Sequence, residues 1–160
     1  MNEFMKKAKF MADKNAVLNF REGGPFGAVV VKDGLIVGEG KNNVLINHDP
    51  TAHAEINAIR NACDNLKTHD LKGCALYTSC YPCPMCLSAI IWANIKEVYY
   101  GNTKKDAANI GFRDDFIYDY IKSLDSKEEL TNILSLKEID RNKTIETFND
   151  FKNKEDKIIY

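Results

Sequence analysis

The chain has 160 residues, of which 44% are hydrophobic and 28% charged, values that suit one globular domain and exclude a disordered chain. Its net charge of −1 shows no basic excess for gripping a long polyanion, so nucleic acid is an unlikely partner on charge alone. No run approaches the roughly 20 apolar residues of a membrane span, and five cysteines, an odd number, fit a reducing cytoplasm where clustered thiols bind metal.

Phe4, Met5, Ala8 and Met11 recur at helical spacing, so Met1–Phe20 reads as a first helix and not as a signal peptide. Gly23-Gly24-Pro25 breaks it. Phe26–Lys32 is a β-branched run, Asp33-Gly34 a hairpin turn and Leu35–Gly40 the returning strand. Asn42–Pro50 is a polar loop, and Thr51–Leu66 reads as a helix with Thr51 as its N-cap. Cys74–Ser79 reads as a buried strand, Pro82–Ala93 as a helix opened by prolines, and Glu97–Tyr100 as a strand. Asn102–Ile110 is a loop with a helical turn, and Asp114–Ile121 a helix. Ile133–Ile139 is expected as a fifth strand and Lys143–Asn153 as a last helix. This order predicts one α/β domain over residues 1–160, a three-layer α/β/α sandwich with a mixed five-stranded sheet.

Two segments carry chemistry. Thr51-Ala52-His53-Ala54-Glu55 and Pro82-Cys83-Pro84-Met85-Cys86 each sit at a predicted helix N-terminus, where the helix field favours negative charge and hence thiolates. His53, Cys83 and Cys86 supply three nitrogen and sulfur donors, the count of a catalytic zinc with one position left for water. One zinc per chain is expected. Glu55, two residues from a ligand and not needed as one, is the candidate proton carrier. His-x-Glu followed by Pro-Cys-x-x-Cys is the signature of zinc-dependent base deaminases.

A plainer reading adds Cys80, three residues before Cys83, as a fourth ligand and gives a structural zinc module without activity. Cys63 and Cys74 read as buried thiols, and His48 and His69 as surface residues of polar loops.

On these motifs the sequence resembles the cytidine deaminase superfamily, and within it the bacterial guanine deaminase branch. The narrower likeness runs through Gly23-Gly24-Pro25-Phe26-Gly27-Ala28-Val29, Asn42-Asn43, Asn47 to Glu55, Tyr77 to Cys80, Pro82 to Cys86, Asp106-Ala107-Ala108 and Gly111 to Tyr118. The resemblance implies zinc on His53, Cys83 and Cys86, and Glu55 as proton shuttle. It implies that Asn42 and Asp114 hydrogen-bond a purine, that Ala54 lends its backbone N–H and that Phe26 packs on the ring. It further implies a homodimer that exchanges its segment from about residue 123 to 160, with Trp92 and the terminal Tyr160 closing the pocket. Each also has a plainer reading: Phe26 as core, Asn42 as a turn residue, Trp92 as subunit packing, Asp114 as a helix cap. Tyr81 stands where many relatives carry Glu. Within the superfamily, deamination of tRNA adenosine, guanosine or cytosine stays open beside guanine.

Overall fold

The structure is a computed structural model and describes residues 1–124, 133–156 and 158. It divides into two compact units, Met1–Tyr118 and Asp119–Tyr160.

The first unit opens with α1 (Glu3–Asp13), capped by Asn2, whose Oδ1 accepts from the Phe4 and Met5 N–H groups at 2.9 and 3.1 Å. The helix does not run on regularly to Phe20. Its end widens into a π-helical turn over Lys14–Leu18, and this turn holds a fully buried Asn15. β1 (Gly27–Lys32) and β2 (Leu35–Lys41) form the expected antiparallel hairpin. Asp33 and Gly34 both have positive φ, 49° and 77°, the geometry whose twist matches paired strands. The loop after β2 contains a short helix, α2 (Val44–Asn47). Next come α3 (Ala54–Leu66), β3 (Cys74–Cys80), α4 (Pro84–Trp92), β4 (Glu97–Asn102) and α5 (Lys104–Asn109).

Among the described residues the sheet has four strands, in the order β2-β1-β3-β4, with β3 and β4 parallel around α4. The sheet is mixed, as expected, but the fifth strand is a correction. Residues 133–139 form no strand, and Leu134, Leu136 and Ile139 are exposed. A short run with apolar side chains becomes a strand only where a partner strand buries one face of it. In the second unit α7 (Arg141–Lys152) matches the expected last helix. α6 (Asp115–Ser123) precedes it and matches the helix expected from Asp114.

Side-chain alternation makes the three layers. Ala28 and Val30 of β1 pack with Leu76 against Ala54, Ala58, Ile59 and Ala62 of α3 and Ile90 of α4. Val29 and Val31 face the other way, onto Ala8 of α1 with Phe4, Met5 and Tyr77. A Cβ at Gly40 would collide with the Ala54 carbonyl, so glycine there lets the first turn of α3 lie directly on β2. The start of α3 is thus placed by backbone contact, and the candidate site is built on it.

Candidate active site

Two helices point their N-termini at one place. α3 begins at Ala54, with His53 as its extended N-cap (φ −67°, ψ 159°), which corrects the assignment of Thr51 as cap. Thr51 instead turns back on Asp49: its N–H and hydroxyl both donate to Asp49 Oδ1, at 2.8 and 2.6 Å. α4 begins at Pro84, with Cys83 as an equally extended cap (φ −68°, ψ 169°), two residues later than Pro82. Neither cap's side chain satisfies its own helix. Both turn to the space between the helices, where the unpaired first-turn N–H groups favour anions.

His53 Nδ1 lies 3.5 Å from the Cys83 sulfur and 3.5 Å from the Cys86 sulfur. The three donor atoms all fall within 4.8 Å of one another, the one such His, Cys, Asp or Glu group among the described residues. Bonds of roughly 2.0–2.3 Å to nitrogen and sulfur in a tetrahedral centre require donor separations of this size, so the trio fits zinc. Cys80 stands outside it: its thiol donates to the Thr103 carbonyl at 3.6 Å. The four-ligand closure of the site therefore has no geometric support.

The Cys86 thiol, hydrogen-bonding to Cys83, pulls the Cys83 thiol down to about 4, with His53 assisting against the cost of burial. The same contact and burial push Cys86 up. The hydrogen bond to Cys83 raises His53 against its own burial. The trio thus favours the deprotonated form at Cys83, the form in which a thiol ligates a metal.

Glu55, in the first turn of α3, is buried. Thr78 donates its hydroxyl to Oε1 at 3.1 Å, and the Cys86 thiol reaches Oε2 at 3.5 Å. Burial holds the Glu55 carboxyl above the usual carboxylate range, and backbone and Thr78 hydrogen bonds oppose that only in part.

A cavity of about 750 Å³ opens beside the trio. His53, Glu55 and Cys83 line it together with Phe26, Asn42 and Asp114, so six of the residues singled out in the sequence share one space. Phe26 meets Phe112 edge to face, with centroids 5.0 Å apart, and the pair forms an aromatic wall. Asn42 is buried, and its Oδ1 accepts from the Gly24 and Val44 N–H groups at 3.3 and 3.2 Å. Its acceptor is thereby spent, and the amide nitrogen is what it can offer a ligand. Burial raises the Asp114 carboxyl, the Cys83 charge adds to that, and Lys104 opposes it.

Ala54 is fully buried as the first residue of α3 and does not line the cavity with its side chain. Trp92 ends α4 with 73% of its surface exposed and is not among the lining residues. Tyr160 lies outside the described residues.

Sequence reasoning missed Asn15, Phe112 and Lys104 as lining residues. Lys104 sits over the rings of Tyr81 and Tyr118, 4.6 and 3.5 Å from their centroids. A signal for Asn15 was present: it continues the buried stripe of Ala8, Met11 and Ala12, where a polar residue is out of place.

The class that this fold and site define is the α/β sandwich with a three-donor trio suited to zinc. Within that class the chain belongs to the cytidine and deoxycytidylate deaminase family, whose zinc-binding region matches residues 1–102. The guanine deaminase of Bacillus subtilis is 53% identical over 126 residues, 79% of this chain and 78% of its own length. The X-ray structure of guanine deaminase from Bacillus subtilis superposes with a TM-score of 0.89 at 44% identity, covering 100% of this chain and 99% of that one. A tRNA-specific adenosine deaminase of Buchnera aphidicola is 42% identical over 103 residues, 64% of this chain and 62% of its own length.

Proposed function

We propose that this chain is a zinc-dependent deaminase that hydrolyses guanine to xanthine and ammonia. The observation that carries this reading is one cavity with a His53-Cys83-Cys86 trio and buried Glu55 at one end, and an acceptor, Asp114, with a donor, Asn42, along its walls. The 53% identical relative named guanine deaminase supports the same substrate.

When bound, zinc acts as a Lewis acid and brings the pKa of water down to about 7. The remainder of the work falls to the side chains. Guanine exchanges its 2-amino group for an oxygen taken from water; of the two water protons, one goes to N3 of the ring and one to the departing amine, which leaves as ammonia. Glu55 is placed to carry both. Thr78 fixes one carboxylate oxygen, and the raised affinity for protons lets the group take a proton from water and give it up again. Asp114 accepts from the N1–H of guanine, Asn42 donates to the 6-oxo edge, and Phe26 with Phe112 covers the ring. Adenine has neither the N1–H nor the oxo group, so it leaves both polar side chains unsatisfied.

We place this activity in a cytoplasmic homodimer serving purine salvage. Ile91 and Trp92 expose apolar surface of the kind that subunit contacts cover, and a thiolate ligand pair needs a reducing compartment. Residues 1–160 act as one functional domain in this reading, with the exchanged segment from about residue 123, Trp92 and Tyr160 closing the cavity.

Ammonia release from a panel of guanine, guanosine, adenine, cytosine and a tRNA anticodon stem-loop tests the substrate. Guanine is expected to dominate. Faster turnover of the stem-loop adenosine would move the chain to the tRNA branch and leave the zinc chemistry standing. Metal analysis of the purified protein is expected to find one zinc per chain, lost in Cys83→Ser and kept in Cys80→Ser. Loss of zinc in both variants would restore the four-ligand structural site.

A further inference from the structure

Asn15 is fully buried in the π-helical turn after α1 and lines the cavity. Turns of this kind are rare and concentrate at functional sites. The Asn15 amide nitrogen donates to two backbone carbonyls, Gly24 at 2.9 Å and Asn42 at 2.5 Å. Its Oδ1 accepts from Lys41 Nζ at 3.1 Å, and Lys41 is ion-paired with Glu22. These partners fix the amide's orientation. Turned over, it would set oxygen against two carbonyls and NH2 against an ammonium group.

Asn42 closes a ring with Asn15 and Gly24. Its Oδ1 holds the Gly24 N–H, while Asn15 holds the Gly24 carbonyl and the Asn42 carbonyl. Gly24 is thus clamped at both of its polar groups. A Cβ at Gly23 would collide with Asn42 Oδ1, so this loop packs directly on the recognition side chain. No charged group other than Lys41 hydrogen-bonds Asn15 among the described residues, and the arrangement leaves only the Asn42 nitrogen uncommitted toward the cavity.

We propose that Asn15 is a positioning residue for base recognition: by holding the Asn42 and Gly24 carbonyls it locks the Asn42 amide as a pure donor, so that this wall selects purines with a good acceptor at C6. The proposal rests on the guanine reading above and adds to it the device that sets the polarity of the wall.

The test compares guanine with 6-thioguanine, which keeps the N1–H that Asp114 reads but carries a weak acceptor, sulfur, at C6. Asn15→Leu keeps the branching of the side chain and removes all three hydrogen bonds. Its KM for guanine is expected to rise about ten-fold with kcat within about two-fold, and the preference for guanine over 6-thioguanine to fall by about the same ten-fold, the worth of one buried hydrogen bond. Lys41→Met leaves the Asn15 amide in place and removes its anchor together with the Lys41–Glu22 ion pair, so it keeps the test open if Asn15→Leu does not fold. It is expected to show the same pattern at about three-fold, since it loosens the ring and breaks neither carbonyl bond. If either variant lowers the melting temperature while KM and the preference stay at wild-type values, Asn15 is structural filler and the proposal is overturned. If the wild-type protein does not deaminate guanine at all, the functional reading falls instead, and the two failures are told apart by that one control.

Discussion

Glu55→Gln is expected to abolish most turnover, by at least on the order of 10²–10⁴-fold, while zinc content and fold stay at wild-type levels. Gln keeps the shape and can still accept the Thr78 hydrogen bond found at 3.1 Å, so the wall of the cavity is undisturbed. What it loses is the capacity to take up and return a proton. The substitution also removes a buried ionisable group, so the melting temperature should not fall. Steady-state ammonia release, metal analysis and a thermal melt on the same preparation decide it. More than half of wild-type activity in the variant would show that Glu55 does not carry the proton.

Asp114→Ala is expected to cost about 10²-fold in kcat/KM for guanine, the upper range for a charge-assisted hydrogen bond, with zinc still bound. The ionised carboxylate is the form that accepts the N1–H, and burial raises the pH at which that form is lost. Guanine turnover by the wild type should therefore decline as pH falls through the raised Asp114 pKa, and the acid limb should change in Asp114→Ala. A variant with wild-type kcat/KM on guanine would remove Asp114 from base recognition and leave Asn42 as the reader.

The convergence of His53, Cys83 and Cys86 was legible because its signal is local. Cys83 and Cys86 sit three residues apart beside a helix-opening proline, and His53 and Glu55 share another helix start. The hairpin was legible for the same reason, since Asp33-Gly34 states its own turn geometry. What the sequence could not show depends on which partner captures each polar group, near or far along the chain. Thr51 has the chemistry of an N-cap, but Asp49 captures its hydroxyl and hands the capping position to His53. Asn42 could both donate and accept until Gly24 and Val44 took its oxygen. Residues 133–139 hold enough apolar side chains for a strand, yet composition does not create the neighbour a strand requires. The polar residue at 15 was visible on an apolar stripe, but its partners at 24, 41 and 42 emerge only from the folded loop.

The match to the family's zinc-binding region stops at residue 102, and Phe112 and Asp114 lie past that point, on a more exposed stretch of chain. His53 and Glu55, by contrast, hang from a helix whose first turn is pressed backbone to backbone on β2 at Gly40. In the proposed reading the base is held from both sides of that boundary at residue 102, by Phe26 and Asn42 before it and by Phe112 and Asp114 after it, so a change of base cannot be confined to one segment of the polypeptide.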